Sequence, residues 1–300
     1  MKRLLRLTAL ALGLTLLLSA CGHKPEREDA ATQTVPVEGI TGLTLCDGDV
    51  TLRFEKNEEG NWIWHDDPTF PLEQSAMDEL LALPAALDGG ETVTDGQELS
   101  AYGLETPAKY ITVTADGEDA TYYMGEETTD GRWYVLTPDN RVLYASAESK
   151  ALLSRSIYDM AVLPQLPVIA PEQVVSVTIL TPERTVAFLT DEDGVRRSAN
   201  RDVTAQTAAL VEELGALTVT ACVDYDPAEG AAAVCGLDES ALTLDMDYLS
   251  DTGADKALTL AVGLPTGDGG RYVTLDGETT IYRMEEASLA QLLTIAETGL

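Results

Sequence analysis

Tyr102-Gly103-Leu104-Glu105, with the strand-forming run Tyr110 to Tyr144 behind it, decides the reading of this chain because it occurs twice. The second occurrence starts at Cys235-Gly236-Leu237-Asp238 and runs to Tyr282. Met124-Gly125 is echoed by Val262-Gly263, and Gly131-Arg132-Trp133-Tyr134-Val135 by Gly270-Arg271-Tyr272-Val273. Arg141-Val142-Leu143-Tyr144 returns as Thr279-Thr280-Ile281-Tyr282. A period of this length predicts a duplicated domain, not a solenoid of short units. Tyr102 gives way to Cys235 while the Gly-Leu pair persists. The shared requirement at Gly103, Leu104, Gly236 and Leu237 is therefore structural: a turn only glycine enters easily, with a leucine to bury beside it.

Around that motif the first copy reads as strands and helices in a fixed order. Leu43 and Leu45, then Val50, Leu52 and Phe54, alternate with polar residues, and Asp47-Gly48 supplies the hairpin turn. Asn61 to Trp64 gives a third strand. Met77, Leu80 and Leu81 recur at helical spacing, with Pro84 expected to stop the helix. Gly89-Gly90 opens a loop into the motif. Strands over Tyr110–Ala115, Ala120–Met124, Arg132–Leu136 and Arg141–Ala145, turned by Asp116-Gly117 and Asp139-Asn140, make an antiparallel meander. Ser146 caps a helix expected to bury Leu152, Leu153, Ile157 and Met160. Pro164 and Pro167 mark the boundary.

The second copy repeats the pattern. Its hairpin is Val174–Leu180 and Thr185–Leu189, and Asp202 is the expected cap of a helix burying Leu210, Val211 and Leu214. A strand over Leu217–Val223 leads to the Cys235 motif. The meander follows at Leu242–Asp247, Ala257–Val262, Tyr272–Leu275 and Thr280–Met284, and a terminal helix carries Leu289, Leu292 and Leu293. Nothing alternates strand-helix-strand as a parallel sheet demands. The fold class is α+β: two duplicated domains, 37–166 and 167–300, each an antiparallel sheet with helices on one face.

The N-terminus reads as an address. Lys2, Arg3 and Arg6 precede the apolar stretch Leu4–Leu18, which is short for a membrane span and has the layout of a secretory signal. Leu18-Ser19-Ala20-Cys21 ends it, and a cysteine there resembles the bacterial lipoprotein signal, whose thiol is acylated before cleavage. Residues 1–20 are thus the expected signal peptide, Cys21 the lipidation site, and 21–36 a polar tether containing His23. Two acyl chains suffice for stable anchoring, at about 0.8 kcal/mol per buried methylene. The expected location is extracytoplasmic, lipid-anchored to a bacterial membrane.

The formal net charge of −32 argues against nucleic acid, since like charges repel and no basic stripe offsets them. Of the four cysteines, Cys46, Cys222 and Cys235 remain after Cys21. Cys222 and Cys235 can close a short loop in an oxidising compartment; the alternative is three small buried apolar residues. Chemistry is hard to find. His65, beside Asp66 and Asp67, is the only histidine outside the tether, and a hydrolytic site would have to use it. Asp191-Glu192-Asp193-Gly194 reads as a turn, Asp245-x-Asp247 as a solvated strand face, and Gly267-Asp268-Gly269-Gly270 as a hairpin connection without a phosphate loop's Lys-Ser/Thr. Glu126 and Glu127 sit beside a turn. No catalytic residues, metal or cofactor are expected.

The signal, the cysteine, and the Tyr-Gly-Leu-acid-x-Pro segments leading into meanders resemble one bacterial family, the domain of unknown function 4340. The match is best at Ala101–Leu153 and looser at Val234–Leu293, where Cys235 replaces Tyr and Ser240 stands for Pro107. The resemblance implies an envelope accessory, with components of ABC transporters as partners, and carries no known activity. A non-enzymatic binding or scaffolding module is the leading expectation. Its rivals are a solute-binding protein with a pocket between the copies and a cell-envelope hydrolase.

Overall fold

The computed structural model describes residues 39–239 and 241–300. The signal peptide, Cys21, the tether with His23, and Ser240 lie outside the described residues. The opening hairpin forms as its alternation predicts. β1 (Ile40–Asp47) and β2 (Thr51–Lys56) pair antiparallel, and Leu43, Leu45, Leu52 and Phe54 all point into the core. Val50, expected on that face, instead falls in the turn and is 59% exposed. β3 (Trp62–Trp64) adds to β2.

Helix α1 (Gln74–Asp88) begins where Glu73 accepts the Ser75 amide. Its apolar stripe takes in Met77, Leu80, Leu81, Leu83 and Leu87. Pro84 does not stop it. Proline forfeits one intrahelical hydrogen bond and crowds the preceding turn, at about 3 kcal/mol. Burial of Leu83 and Pro84 themselves, and of Leu87 beyond them, offsets the loss. The helix ends at Gly89, whose amide donates to the Ala85 carbonyl at 3.2 Å.

β4 (Glu91–Thr92) follows where a loop was expected; two residues are too few to show a period. Then come β5 (Lys109–Ala115), β6 (Glu118–Glu127), β7 (Trp133–Leu136) and β8 (Val142–Ala145), the expected meander. β4 returns to pair with β8, which gives an eight-stranded antiparallel sheet in the order β3-β2-β1-β5-β6-β7-β8-β4. Ser146 caps α2 (Ala147–Leu153) as expected, but the helix stops at Ser154. Ile157 and Met160 are buried beyond it, around a separate 3-10 turn (Tyr158–Met160), where Ser156 and Asp159 bond each other locally and compete with α-helix continuation.

The second half runs β9 (Val174–Leu180), β10 (Thr185–Thr190), β11 (Arg196–Ser198), β12 (Arg201–Asp202), α3 (Ala208–Leu214), β13 (Ala221–Asp224), α4 (Ala231–Val234), β14 (Leu242–Leu249), β15 (Asp255–Pro265), β16 (Gly270–Leu275), β17 (Ile281–Glu285) and α5 (Ala290–Thr298). Asp202 is no helix cap. It ends β12 and accepts the Thr204 amide in a turn, and α3 starts six residues later with Leu210, Val211 and Leu214 buried as expected. The strand expected over Leu217–Val223 is confined to β13. Glu213 of α3 accepts the amides of Gln291 and Leu292, both at 2.8 Å, which ties α3 to the first turn of α5.

The nine-stranded second sheet is ordered β12-β11-β10-β9-β14-β15-β16-β17-β13. With the edge strand β12 set aside, this is the order of the first sheet, strand for strand. The register also corrects two of the echoes read from sequence. Val135 pairs with Leu143, and Val273 with Tyr282, so Tyr282 stands where Leu143 does and Arg283 where Tyr144 does. The turns before β7 and β16 match as Thr128-x-Asp130-Gly131 and Thr266-x-Asp268-Gly269, so Arg132 corresponds to Gly270.

The sheets do not pair with each other. They meet at an aromatic seam, where Phe70 lies 5.6 Å from Trp64, 6.3 Å from Tyr158 and 5.2 Å from Tyr225. Tyr158 donates to Asp224, and an isolated bridge joins Leu72 to Ala161. Buried side chains of both halves belong to one core.

Candidate functional site

The motif turn is built on β6. Leu99–Tyr102 forms a single 3-10 turn, closed by Gly103 at φ 68°, a left-handed conformation that side chains disfavour. The turn lies on Gly125, where a bulge shifts the β6–β7 register. A Cβ at Gly125 would overlap the Tyr102 carbonyl oxygen and stand 2.9 Å from Leu104 Cγ. The second half repeats each part. Gly236 has φ 68°, a bulge interrupts β15–β16, and a Cβ at Gly263 would overlap the Cys235 carbonyl oxygen. Tyr102, Gly103, Leu104, Gly236 and Leu237 therefore do belong to paired locks. The glycines were legible as echoes; that Gly125 lies under Tyr102 and Leu104, and Gly103 against Glu126, was not.

In the first half the lock carries an aromatic ladder. The Tyr102 ring lies tilted 4.9 Å from Tyr134, and Tyr134 lies 5.3 Å from Tyr144. The Arg132 guanidinium covers Tyr144 at 3.9 Å and pairs with Glu91 and Asp130, both at 2.9 Å. At the other end Tyr102 donates to Asp95. That bond, helped by Gln97, holds the Asp95 carboxyl below its usual range; the same bond, then burial, pushes the Tyr102 phenol up. Tyr134 and Tyr144 point away from Val135 and Leu143, hence onto the outer face of the sheet. Tyr110 and Tyr123, 6.1 Å apart, continue that face across β5 and β6. Burial, then the neighbouring Cys46 thiol, pushes the Tyr110 phenol up. The period-two placement of these tyrosines was the signal that could have found the face.

On the inner side, a notch at the end of the sheet is lined by Asp47, Lys109, Met124, Trp133, Lys150 and Leu153, among others. The Lys109 and Lys150 ammoniums stand 5.6 and 4.8 Å from the Trp133 ring centre. Each is also ion-paired, Lys109 with Asp47 and Lys150 with Glu127 at 2.8 Å. Lys150 holds the Glu127 carboxyl below its usual range. At about 10 Å³ the notch has room for a single water. A wider, open groove of about 440 Å³ lies in the second half between Val175, Asp247, Tyr248, Asp255, Lys256 and Ala257. Neither recess is at the seam.

The remaining sequence candidates fall apart from one another. His65, half exposed at the end of β3, has its Nδ1 3.2 Å from Glu55. Cys46, Cys222 and Cys235 are free thiols. Cys222 is buried in the core, where burial and then Asp224 push its thiol up to about 11; Cys235 sits half-buried in the second motif turn. Asp191 accepts two turn amides and Arg197, and Asp245 and Asp247 accept Thr259 and Ser176 hydroxyls along a solvated face. Among the described residues no three His, Cys, Asp or Glu side chains are grouped to hold a metal, and no helix is long and apolar enough to cross a membrane.

Neither a curated protein nor a solved structure matches this chain. One family model does, over residues 86–232, from the end of α1 through the first meander into α4. The first stretch of resemblance, Ala101–Leu153, lies within it, and Val234–Leu293 lies beyond it. Residues 86–232, with the Tyr102 lock and its tyrosine ladder, match the model of a domain of unknown function, DUF4340.

Proposed function

We propose that the protein is a lipid-anchored, extracytoplasmic binding or scaffolding module made of two copies of one unit. The shared strand order supports the two copies, and Leu18-Ser19-Ala20-Cys21 supports the anchor. The observation that carries the binding role is the outer face of the first sheet. Tyr110, Tyr123, Tyr134 and Tyr144 lie there, while the matching positions of the second sheet hold Thr243, Ala261, Tyr272 and Arg283. Tyrosine offers large contact area at low entropic cost and is enriched at interfaces. The partner we propose is an envelope protein, components of an ABC transporter among the candidates, with no catalysis by this chain.

The test places a photo-crosslinking residue at Tyr123 in intact cells, with the same residue at Thr259 on the second sheet as a control. A reproducible partner captured from Tyr123 alone supports the reading. Equal capture from both faces, or none from either, overturns it. Metabolic labelling with a radioactive fatty acid should mark the wild type and not Cys21→Ala.

A further inference from the structure

Arg196 is the anomaly of the second half. It is 8% exposed, yet no carboxylate among the described residues lies within ion-pair reach of it. Its NH1 and NH2 groups reach only the backbone carbonyls of Thr204 and Pro171, at 3.5 and 3.4 Å, and its Nε is buried without a partner. A buried guanidinium left in this condition is costly, since a charge loses its hydration with nothing opposite to replace it. In a chain of net charge −32 the shortage of a carboxylate at this one position is the more unexpected.

A second orphan stands beside it. Thr190 is the cross-strand partner of Arg196, and its Oγ1 is likewise buried without a hydrogen-bond partner. Directly paired residues in an antiparallel ladder project from the same face. Phe188 and Val186, two and four residues before Thr190, are buried and place that face on the core side.

The first half shows what the position requires when no charge is there. β2 and β3 correspond to β10 and β11, so Trp62 holds the place of Arg196 and Lys56 that of Thr190. The backbone setting is alike: the Trp62 amide donates to Gln74 Oε1, and the Arg196 amide to Thr204 Oγ1, both at 2.9 Å. Trp62 is buried, and the Lys56 ammonium sits 5.1 Å from its ring centre. An indole there fills the core and asks for no counter-charge. The second half replaces it with a guanidinium N–H and a hydroxyl that can donate, two donors on paired residues of adjacent strands, each buried without an acceptor.

We propose that Arg196 and Thr190 form a buried site for a small inorganic monoanion of the halide class, held between the Arg196 Nε–H and the Thr190 hydroxyl. The anion supplies the negative charge the core lacks and fastens β10 to β11. A ligand that binds only the folded state stabilises it in proportion to the logarithm of its concentration.

The experiment is thermal unfolding of the full chain in sodium bromide against sodium gluconate at equal sodium concentration, so that screening of the net charge is the same in both. The expected result is a Tm that climbs by a few degrees with the logarithm of bromide concentration and stays flat in gluconate. Thr190→Val keeps the shape and removes the hydroxyl, and Arg196→Met removes the charge; both should flatten the bromide dependence. If Arg196→Met does not fold, Thr190→Val alone carries the comparison. A bromide-soaked crystal should show an anomalous peak within hydrogen-bond reach of both atoms. Equal Tm in the two salts, a bromide dependence unchanged in Thr190→Val, or a water in place of the bromide peak would each overturn the site.

Discussion

Gly125 lies directly beneath the backbone of Tyr102, so close that a methyl group on it would overlap the Tyr102 carbonyl oxygen. The same relationship holds between Gly263 and Cys235. These are backbone-to-backbone contacts, and no rotamer change can relieve them.

Gly125→Ala should therefore destabilise the protein by about 2–3 kcal/mol, the upper range for forcing extra volume into a packed site. Gly263→Ala should cost a similar amount. Chemical denaturation measures both, and a loss under about 0.5 kcal/mol in either would show that the turn can lift away from its strand.

Phe70 holds the seam between the sheets. Truncation to alanine should cost about 3–5 kcal/mol, as for other buried aromatics. It also removes the ring that touches Trp64, Tyr158 and Tyr225 at once. Calorimetry of Phe70→Ala should show the unfolding endotherm broaden or split into two, where the wild type gives one.

Asp88 ends α1 with its side chain 8% exposed, accepting the Tyr122 hydroxyl at 3.0 Å, with Arg141 3.8 Å away. Burial raises its pKa, against the Tyr122 bond and the Arg141 charge that lower it. The Tyr122 phenol is pushed up in turn by burial and by Asp88. With the folded value above the unfolded one, the contribution of Asp88 to stability is full below about pH 4 and is lost as pH rises through the raised value. Asp88→Asn should accordingly be more stable than the wild type at pH 7, and its stability should vary less between pH 4 and 6. Denaturation midpoints across that range decide it.

The thiols should differ sharply in reactivity. Cys222 is buried and its thiol lies near 11, so at pH 8 it should resist a disulfide reagent until the protein unfolds. Cys46 and Cys235, each partly open, should react first. Timed mass spectrometry of the labelled protein gives the order.

Much of the fold could be read from the chain because its hairpins alternate cleanly and turn at Asp-Gly and Asp-Asn. Asp116 and Asn140 indeed adopt left-handed φ values of 53° and 61°. Errors arose where tertiary packing overrode local preference: Pro84 inside α1, Asp202 in a strand, Ile157 and Met160 buried outside the Ser146-capped helix. β4 was invisible because its partner is β8, fifty residues on in sequence. The echo of Arg141–Tyr144 slipped by one residue because similar letters, Val-Leu-Tyr and Thr-Ile-Tyr, do not carry register. The sites suffered most from this. The tyrosine face, and the pairing of Thr190 with Arg196, exist only once strands are aligned, and a one-residue shift sends each side chain to the opposite face.

In both sheets the short strand before the meander, β4 or β13, docks on the strand that ends it, β8 or β17. Likewise β1 finds its second neighbour only in β5. During synthesis each unit thus begins with an open border that its own later residues must seal, and such distant closures slow assembly. A ribosome that stalls before Val142 leaves the first unit unsealed on that side, open to whatever extended chain arrives before its own.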